Sequence, residues 1–194
     1  RKGLYINADE IIEKLEKRIY LESKERNSSL DDASLNEIAH DVAIGTIRYE
    51  LIKPDLDKII TFDINTSLKL EGDTCSYIQY SCVRAARILE KSDKKPDFNS
   101  SFDQLNTQHD LSLIKQIGMF EIFVNDAAKN YSPKVIAKYC YVLAVTFSSF
   151  YEHVKVLKAE TPELVNARLC LVLSFGLTLE KALDLLGITV PQRM

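Results

Sequence analysis

The chain has 194 residues, 46% of them apolar and 27% charged, with a formal net charge of −3. That length carries one or two domains with a real core, and no apolar run approaches the roughly 18 residues that a membrane span needs. A strongly basic chain is excluded, but the charge is uneven: residues 1–104 hold 16 Lys+Arg against 20 Asp+Glu, a net of −4, and residues 105–194 hold 9 against 8, a net of +1. A local basic surface is compatible with this total, because phosphate contacts depend on the local field.

In chain order, Asn7 is placed to cap a first helix, with Glu10 three residues on in capping-box position and Ile11, Ile12, Leu15 and Ile19 inward. The polar run 24–32 reads as a loop. A second amphipathic helix turns Leu35, Ile38, Ala39, Val42 and Ile47 inward and ends near Tyr49. Pro54 and the β-rich run 59–64 then predict a short extended segment.

The helix predicted over 74–91 aligns Tyr77, Tyr80, Arg84, Arg87 and Lys91 on one face. Aromatic rings beside cations can stack bases and meet phosphates. The plainer alternative is tyrosines packed on a neighbour and arginines solvated or ion-paired. Residues 92–108 read as a surface connection with a helical turn near 102–105, and residues 110–130 as helix broken near Gly118.

Ser132-Pro133 and Thr161-Pro162-Glu163 are helix start signals. After the first, Ile136, Cys140, Leu143, Phe147, Phe150, Val154 and Leu157 form one stripe. After the second, Val165, Leu169, Val172, Gly176, Leu179, Leu183 and Leu186 form another, stopped by Gly187. The two should pack as an antiparallel hairpin, with Gly176 letting the backbones approach. Tyr151, Lys155 and Lys158 fall at i, i+4 and i+7 beside the first stripe, a plausible edge for an unstacked base and its phosphates. Lys134 and Lys138 offer a second cationic pair.

No P-loop, GxSxG elbow or HExxH occurs, and no acid pair stands out. Cys75, Cys82, Cys140 and Cys170 have no CxxC pairing and lie in apolar helical runs, which predicts reduced, buried thiols in a cytosolic protein rather than disulfides or a zinc site. His40, His109 and His153 are scattered, and no metal is assigned. With Arg1 first and no signal-peptide pattern, the sequence reads as a fragment or processed product.

Three segments, FSSFYEHVKVL (147–157), NARLCLVL (166–173) and LLGITVPQRM (185–194), resemble the C-terminal anticodon-binding domain of arginyl-tRNA synthetases, the module named after a DALR motif. Upstream, RKGLYINADEII (1–12) resembles the stretch after the KMSK-type loop of those class I enzymes. IGTIRY (44–49), TFDINTSLKLEGDT (61–74) and SYIQYSCVRAARIL (76–89) resemble the passage from catalytic core to helical domain. The chain departs from the family pattern at Asp73, where Asn is usual, at Ala86, where a basic residue is common, and at Gln192, where Glu is usual.

The resemblance implies a mainly α fold: a helical anticodon-binding bundle over 72–194, preceded over 1–71 by a small α-rich stem-contact region with the short extended segment. It implies a tRNA-recognition module whose parent joins arginine to its tRNA with ATP and Mg²⁺ through an arginyl-adenylate. This fragment would hold no cofactor, lack the nucleotide-binding half, be inactive alone, and act in the cytoplasm as a monomer away from membranes. By residue, Tyr151 matches the tyrosine that contacts the anticodon loop, Met194 the terminal residue near that loop, and Arg193 its neighbour. Arg168 matches the signature arginine, although a helix-bridging structural arginine would look the same. With Lys155, Lys158, Tyr77, Tyr80, Arg84 and Arg87 these make up the candidate tRNA-binding set. The alternatives are the helical domain of another class I synthetase, such as the cysteinyl enzyme, and a non-catalytic helical protein-interaction module.

Overall fold

The structure is a computed structural model that describes residues 7–27 and 30–194, 67% of them helical and with no strand among the described residues. Residues 1–6 of the segment matched to the post-loop stretch lie outside them. The helices are α1 (Ala8–Arg26), α2 (Asp32–Ile52), α3 (Ile64–Ser67), α4 (Cys75–Glu90), α5 (Gln108–Gly118), α6 (Phe120–Lys129), α7 (Lys134–His153) and α8 (Pro162–Leu185).

Side-chain caps start most of them. Asn7, Asp31, Asp63, Thr74, Thr107 and Thr161 each accept from a backbone N–H of the first turn. The reciprocal capping box forms at Thr107 and Asp110, whereas Asn7 accepts from the Asp9 amide. α1 runs on to Arg26, so the predicted loop at 24 begins later. Gly118 ends α5, and Gly187, at φ 66°, ends the last helical turn with the Ile188 amide on the Leu183 carbonyl at 3.0 Å.

Two expectations at helix starts and strands fail for local reasons. Ser132 does not cap α7: Tyr131 turns left-handed at φ 50°, and the Ser132 amide closes α6 on the Ala127 carbonyl at 2.9 Å, so the helix begins after Pro133. The run 59–64 forms no strand. Ile59 is 94% exposed, nothing pairs beside it, and the Asp63 carboxylate captures the Asn65 and Thr66 amides at 2.7 and 3.1 Å to start α3. Local capping outweighs β propensity where no neighbouring strand is available.

Two apolar clusters organise the helices. One is built on α1, α2 and Leu68, around the fully buried Leu15 and Ala43. The other joins α4 to α8 with Tyr49 of α2, and its centre is the Phe147–Phe175 stack between α7 and α8 at 3.8 Å and 7°. α8 is long and apolar enough, by length and composition, to cross a membrane. Its apolar face is instead the floor of this core, with Leu169, Val172, Phe175, Leu179 and Leu183 buried. Gly176 is not a point of close backbone approach, because a Cβ there would meet only the Ala85 Cβ, at 3.9 Å.

The tail after α8 straps the clusters together. Ile188 is buried in the larger cluster, the Gln79 side-chain amide donates to the Thr189 carbonyl at 2.7 Å, and Met194 packs against the α1–α2 cluster. Arg48 donates to the Gly187 carbonyl, so close that any Cβ at 187 would collide with its guanidinium. Tyr49, fully buried, donates its hydroxyl to Asp73 at 2.6 Å. The departure from the family pattern at 73 therefore supplies a carboxylate acceptor. All four cysteines are free and buried, and burial pushes the Cys140 thiol up to about 12.

Candidate functional site

The aromatic and cationic face of α4 is present, and α7 completes it. Thr74 caps α4, accepting from the Tyr77 amide at 3.2 Å, and Cys75, Ile78, Cys82 and Ala85 bury the opposite face. That packing turns Tyr80, Arg84, Arg87 and Lys91 outward. The last turn of α7 is fixed by Phe147 and Phe150 in the core, which leaves the next residue, Tyr151, 44% exposed on the adjoining wall. The Arg84 guanidinium lies 4.7 Å from the centre of the Tyr80 ring and 4.7 Å from that of Tyr151. Each such contact contributes about 0.5–1 kcal/mol at an exposed site.

These residues, with Arg87, Lys91 and Leu157, line a groove of about 400 Å³ that no carboxylate lines. The arginines and the lysine are therefore not neutralised locally. Aromatic rings beside cations can stack a planar base, and the flanking charges can meet phosphates. Tyr77 does not join them. It is half-buried, edge-on to Tyr141 at 6.2 Å and 60°, and serves packing.

The helical trio Tyr151, Lys155 and Lys158 is corrected by the structure. α7 ends at His153, and Val154 is extended (φ −117°, ψ 125°). Val154 and Val156 are buried, drawing the chain into the core. Lys155 and Lys158 therefore leave the Tyr151 face and line a neighbouring groove of about 700 Å³ with His109, His153 and Glu160.

Arg168 lies inside. Its Nε and Nη2 face the two oxygens of the fully buried Asp110 at 3.3 and 3.4 Å, and its Nη1 donates to the Lys155 carbonyl at 3.1 Å. Asp110 is itself the capping-box residue of α5 and also accepts the Thr107 hydroxyl at 2.6 Å. Arg168 thus fastens α8 to the first turn of α5 and to the loop after α7. This is the helix-bridging alternative, and it leaves no free donor fork for a ligand. Met194 is half-buried against α1 and α2, lining a cleft with Ile19, Ile38 and Leu68 rather than the Tyr151 groove, and Arg193 beside it is exposed. Lys134 is paired with Asp55, while Lys138 is exposed.

One feature of the neighbouring groove has no trace in the sequence pattern. The His109 and His153 rings stack at 4.4 Å and 7°. They come from different helices, and neither has a second titratable partner at a recognisable spacing. The Arg84–Tyr151 contact is equally long-range, although each of its members stands out in its own helix. Among the described residues no group of three or more His, Cys, Asp or Glu side chains is placed to hold a metal ion.

Comparison with known proteins places this groove in context. Residues 78–194 match the family described as the DALR anticodon binding domain. The whole chain is 37% identical to part of an arginine–tRNA ligase of Methanothrix thermoacetophila, covering 34% of that protein, and 37% identical to part of one from Borrelia hermsii, covering 33%. The chain thus spans about a third of the length of the curated relatives it matches. Among solved structures, it is similar to the arginyl-tRNA synthetase of Thermus thermophilus, with a TM-score of 0.86 at 33% identity over 97% of this chain and 32% of that one. The Plasmodium falciparum arginyl-tRNA synthetase superposes with the same TM-score of 0.86 at 23% identity over 97% of this chain and 34% of that one, a likeness of fold.

Proposed function

The chain belongs to the DALR anticodon binding domain family, and from that membership and the chemistry of the groove we propose that it recognises the anticodon loop of an arginine-specific tRNA. The observation that carries the reading is the Tyr80–Arg84–Tyr151 arrangement in a groove lined by Arg87 and Lys91 and by no acid. Unpaired bases are read by stacking on rings and guanidinium planes, and Lys and Arg supply a salt-dependent affinity. A base entering this groove finds the Tyr151 ring on one wall and the Arg84 plane beside it. Arg87 and Lys91 lie within the same groove for the phosphates on either side.

In this reading, residues 72–194 are the binding module and residues 1–71 the stem-contact region. The longer protein joins arginine to its tRNA with ATP and Mg²⁺ in the cytoplasm, and the module works as a monomer. Among the described residues no group of three or more His, Cys, Asp or Glu side chains could hold Mg²⁺. The absence of acids and the exposed arginines favour RNA over an apolar protein partner, which would call for an uncharged patch. The test is a binding titration at fixed salt against an arginine-tRNA transcript and a second transcript with a changed anticodon loop. Tighter binding to the first supports the reading, and equal weak binding to both contradicts it.

A further inference from the structure

The groove beside the first one, which shares Val154 with it, is built differently. Its wall is the stacked pair of His109, from the first turn of α5, and His153, the last residue of α7. Ser149 anchors both rings. Its hydroxyl lies 3.3 Å from Nδ1 of His109, and its carbonyl accepts from Nδ1–H of His153 at 2.8 Å. With Nδ1 of His153 donating to a carbonyl, a neutral ring has its lone pair on Nε2, and that atom takes the next proton. Lys155 and Lys158 line the same groove.

We propose that this groove binds a phosphoryl group and that the histidine pair gains positive charge as it does so. In the RNA complex the occupant is a backbone phosphate close to the base held at Tyr151, a clause that rests on the function proposed above.

The charges decide the direction. Of the described residues lining the groove, Lys155 and Lys158 are cationic and Glu160 is an unpaired carboxylate. Arg168 and Asp110 neutralise each other, and Glu152, next to His153, faces the Ser148 hydroxyl at 3.5 Å. From the segment before α5 only Gln104, Asn106 and Thr107 reach the groove, all uncharged hydrogen-bonding groups. With both rings neutral the lining carries a net charge of about +1. Each proton adds another positive charge, but two imidazolium rings stacked at 4.4 Å repel one another. An anion across the pair offsets that repulsion, so proton uptake and anion binding favour each other.

The chain supplies its own control. It has three histidines, and His40, on α2, has its Nδ1 2.7 Å from Glu16, in the other cluster of helices. Imidazole C–H resonances of the 194-residue chain, followed at about pH 6 while inorganic phosphate is added, should shift saturably for His109 and His153 and stay still for His40. No saturable shift, or three histidines moving alike, overturns the proposal.

A second arm identifies the source of the phosphate. Affinity for an arginine anticodon stem-loop RNA, whose diesters keep one charge throughout, should fall several-fold between about pH 6 and pH 8. His153→Gln should flatten that dependence, and Lys158→Gln should lower the affinity at both pH values. Loop RNA bound with no pH dependence and histidines silent to phosphate would sink the proposal and leave the anticodon reading standing. Histidine shifts with phosphate but no RNA binding would leave the anion site and remove the anticodon reading.

Discussion

Two arginines, both prominent in the sequence, end up in opposite circumstances. Arg84 lies on a groove wall between two tyrosine rings with no acid beside it. Arg168 is 8% exposed and locked onto a carboxylate that is fully buried. The comparison teaches that a conspicuous arginine in a helical RNA-binding domain is functional or architectural according to whether a carboxylate reaches it. The signature arginine builds the bundle, whereas Arg84 on α4 keeps its charge on a groove wall that no carboxylate lines.

The largest effect expected from breaking this contrast is on stability. Arg168→Ala strands Asp110 in the interior and should lower the unfolding free energy by about 3–5 kcal/mol, read as a shift in the urea midpoint. Where the variant remains folded, adding Tyr151→Ala should weaken its binding to loop RNA by the same factor as in the native chain, and a smaller factor would move Arg168 to the interface.

Next comes the groove. Tyr151→Ala should weaken binding to an anticodon stem-loop by about 1–3 kcal/mol while the urea midpoint moves little, since the residue is 44% exposed. Unchanged affinity with an intact fold would show that the loop docks elsewhere. Arg87→Gln should then act uniformly on all RNAs and reduce the slope of log affinity against log salt by about 1, as the loss of one phosphate contact requires. A slope that does not move removes Arg87 from the contact set.

The smallest effect concerns the core behind the groove. Burial raises the thiols of Cys75, Cys82 and Cys140 above their ordinary value of 9.0. Above pH 9 the unfolded chain releases these protons while the folded chain keeps them, so stability falls as pH rises. By pH 9 each thiol should cost roughly a few tenths of a kcal/mol. Cys140→Ala should make the pH profile of the urea midpoint shallower, and an identical profile would mean that this thiol is not protected.

Helix after helix was legible in the sequence because a 3.6-residue apolar period survives without knowledge of neighbours. The stops at Gly118 and Gly187 follow from single residues. The same reasoning misplaced Lys155 and Lys158, because Val154 and Leu157 continue the period past the true helix end. Periodicity cannot distinguish a buried loop from another turn of helix. Ile59 and Ile60 looked like a strand because β propensity was visible, but the missing partner strand was not. Gly176 suggested a close helix crossing that the fold does not make.

Of the groove itself, Tyr80, Arg84, Arg87 and Tyr151 could each be named from their own helices, yet their convergence required the packing of α4 against α7. The stacked histidines had no local signal, since what joins them is the approach of α5 to α7 around Ser149.

The central claim is that the Tyr80–Arg84–Tyr151 groove holds an unpaired base. The measurement that tests it most directly compares the affinity of the chain for an arginine anticodon stem-loop with that for a fully paired duplex carrying the same number of phosphates, at one salt concentration, for the native chain and for Tyr151→Ala. If the groove stacks a base, the native chain prefers the stem-loop by about tenfold or more and Tyr151→Ala removes most of that preference. Equal affinity for loop and duplex, or a preference that survives loss of the ring, would mean that the groove contributes charge alone.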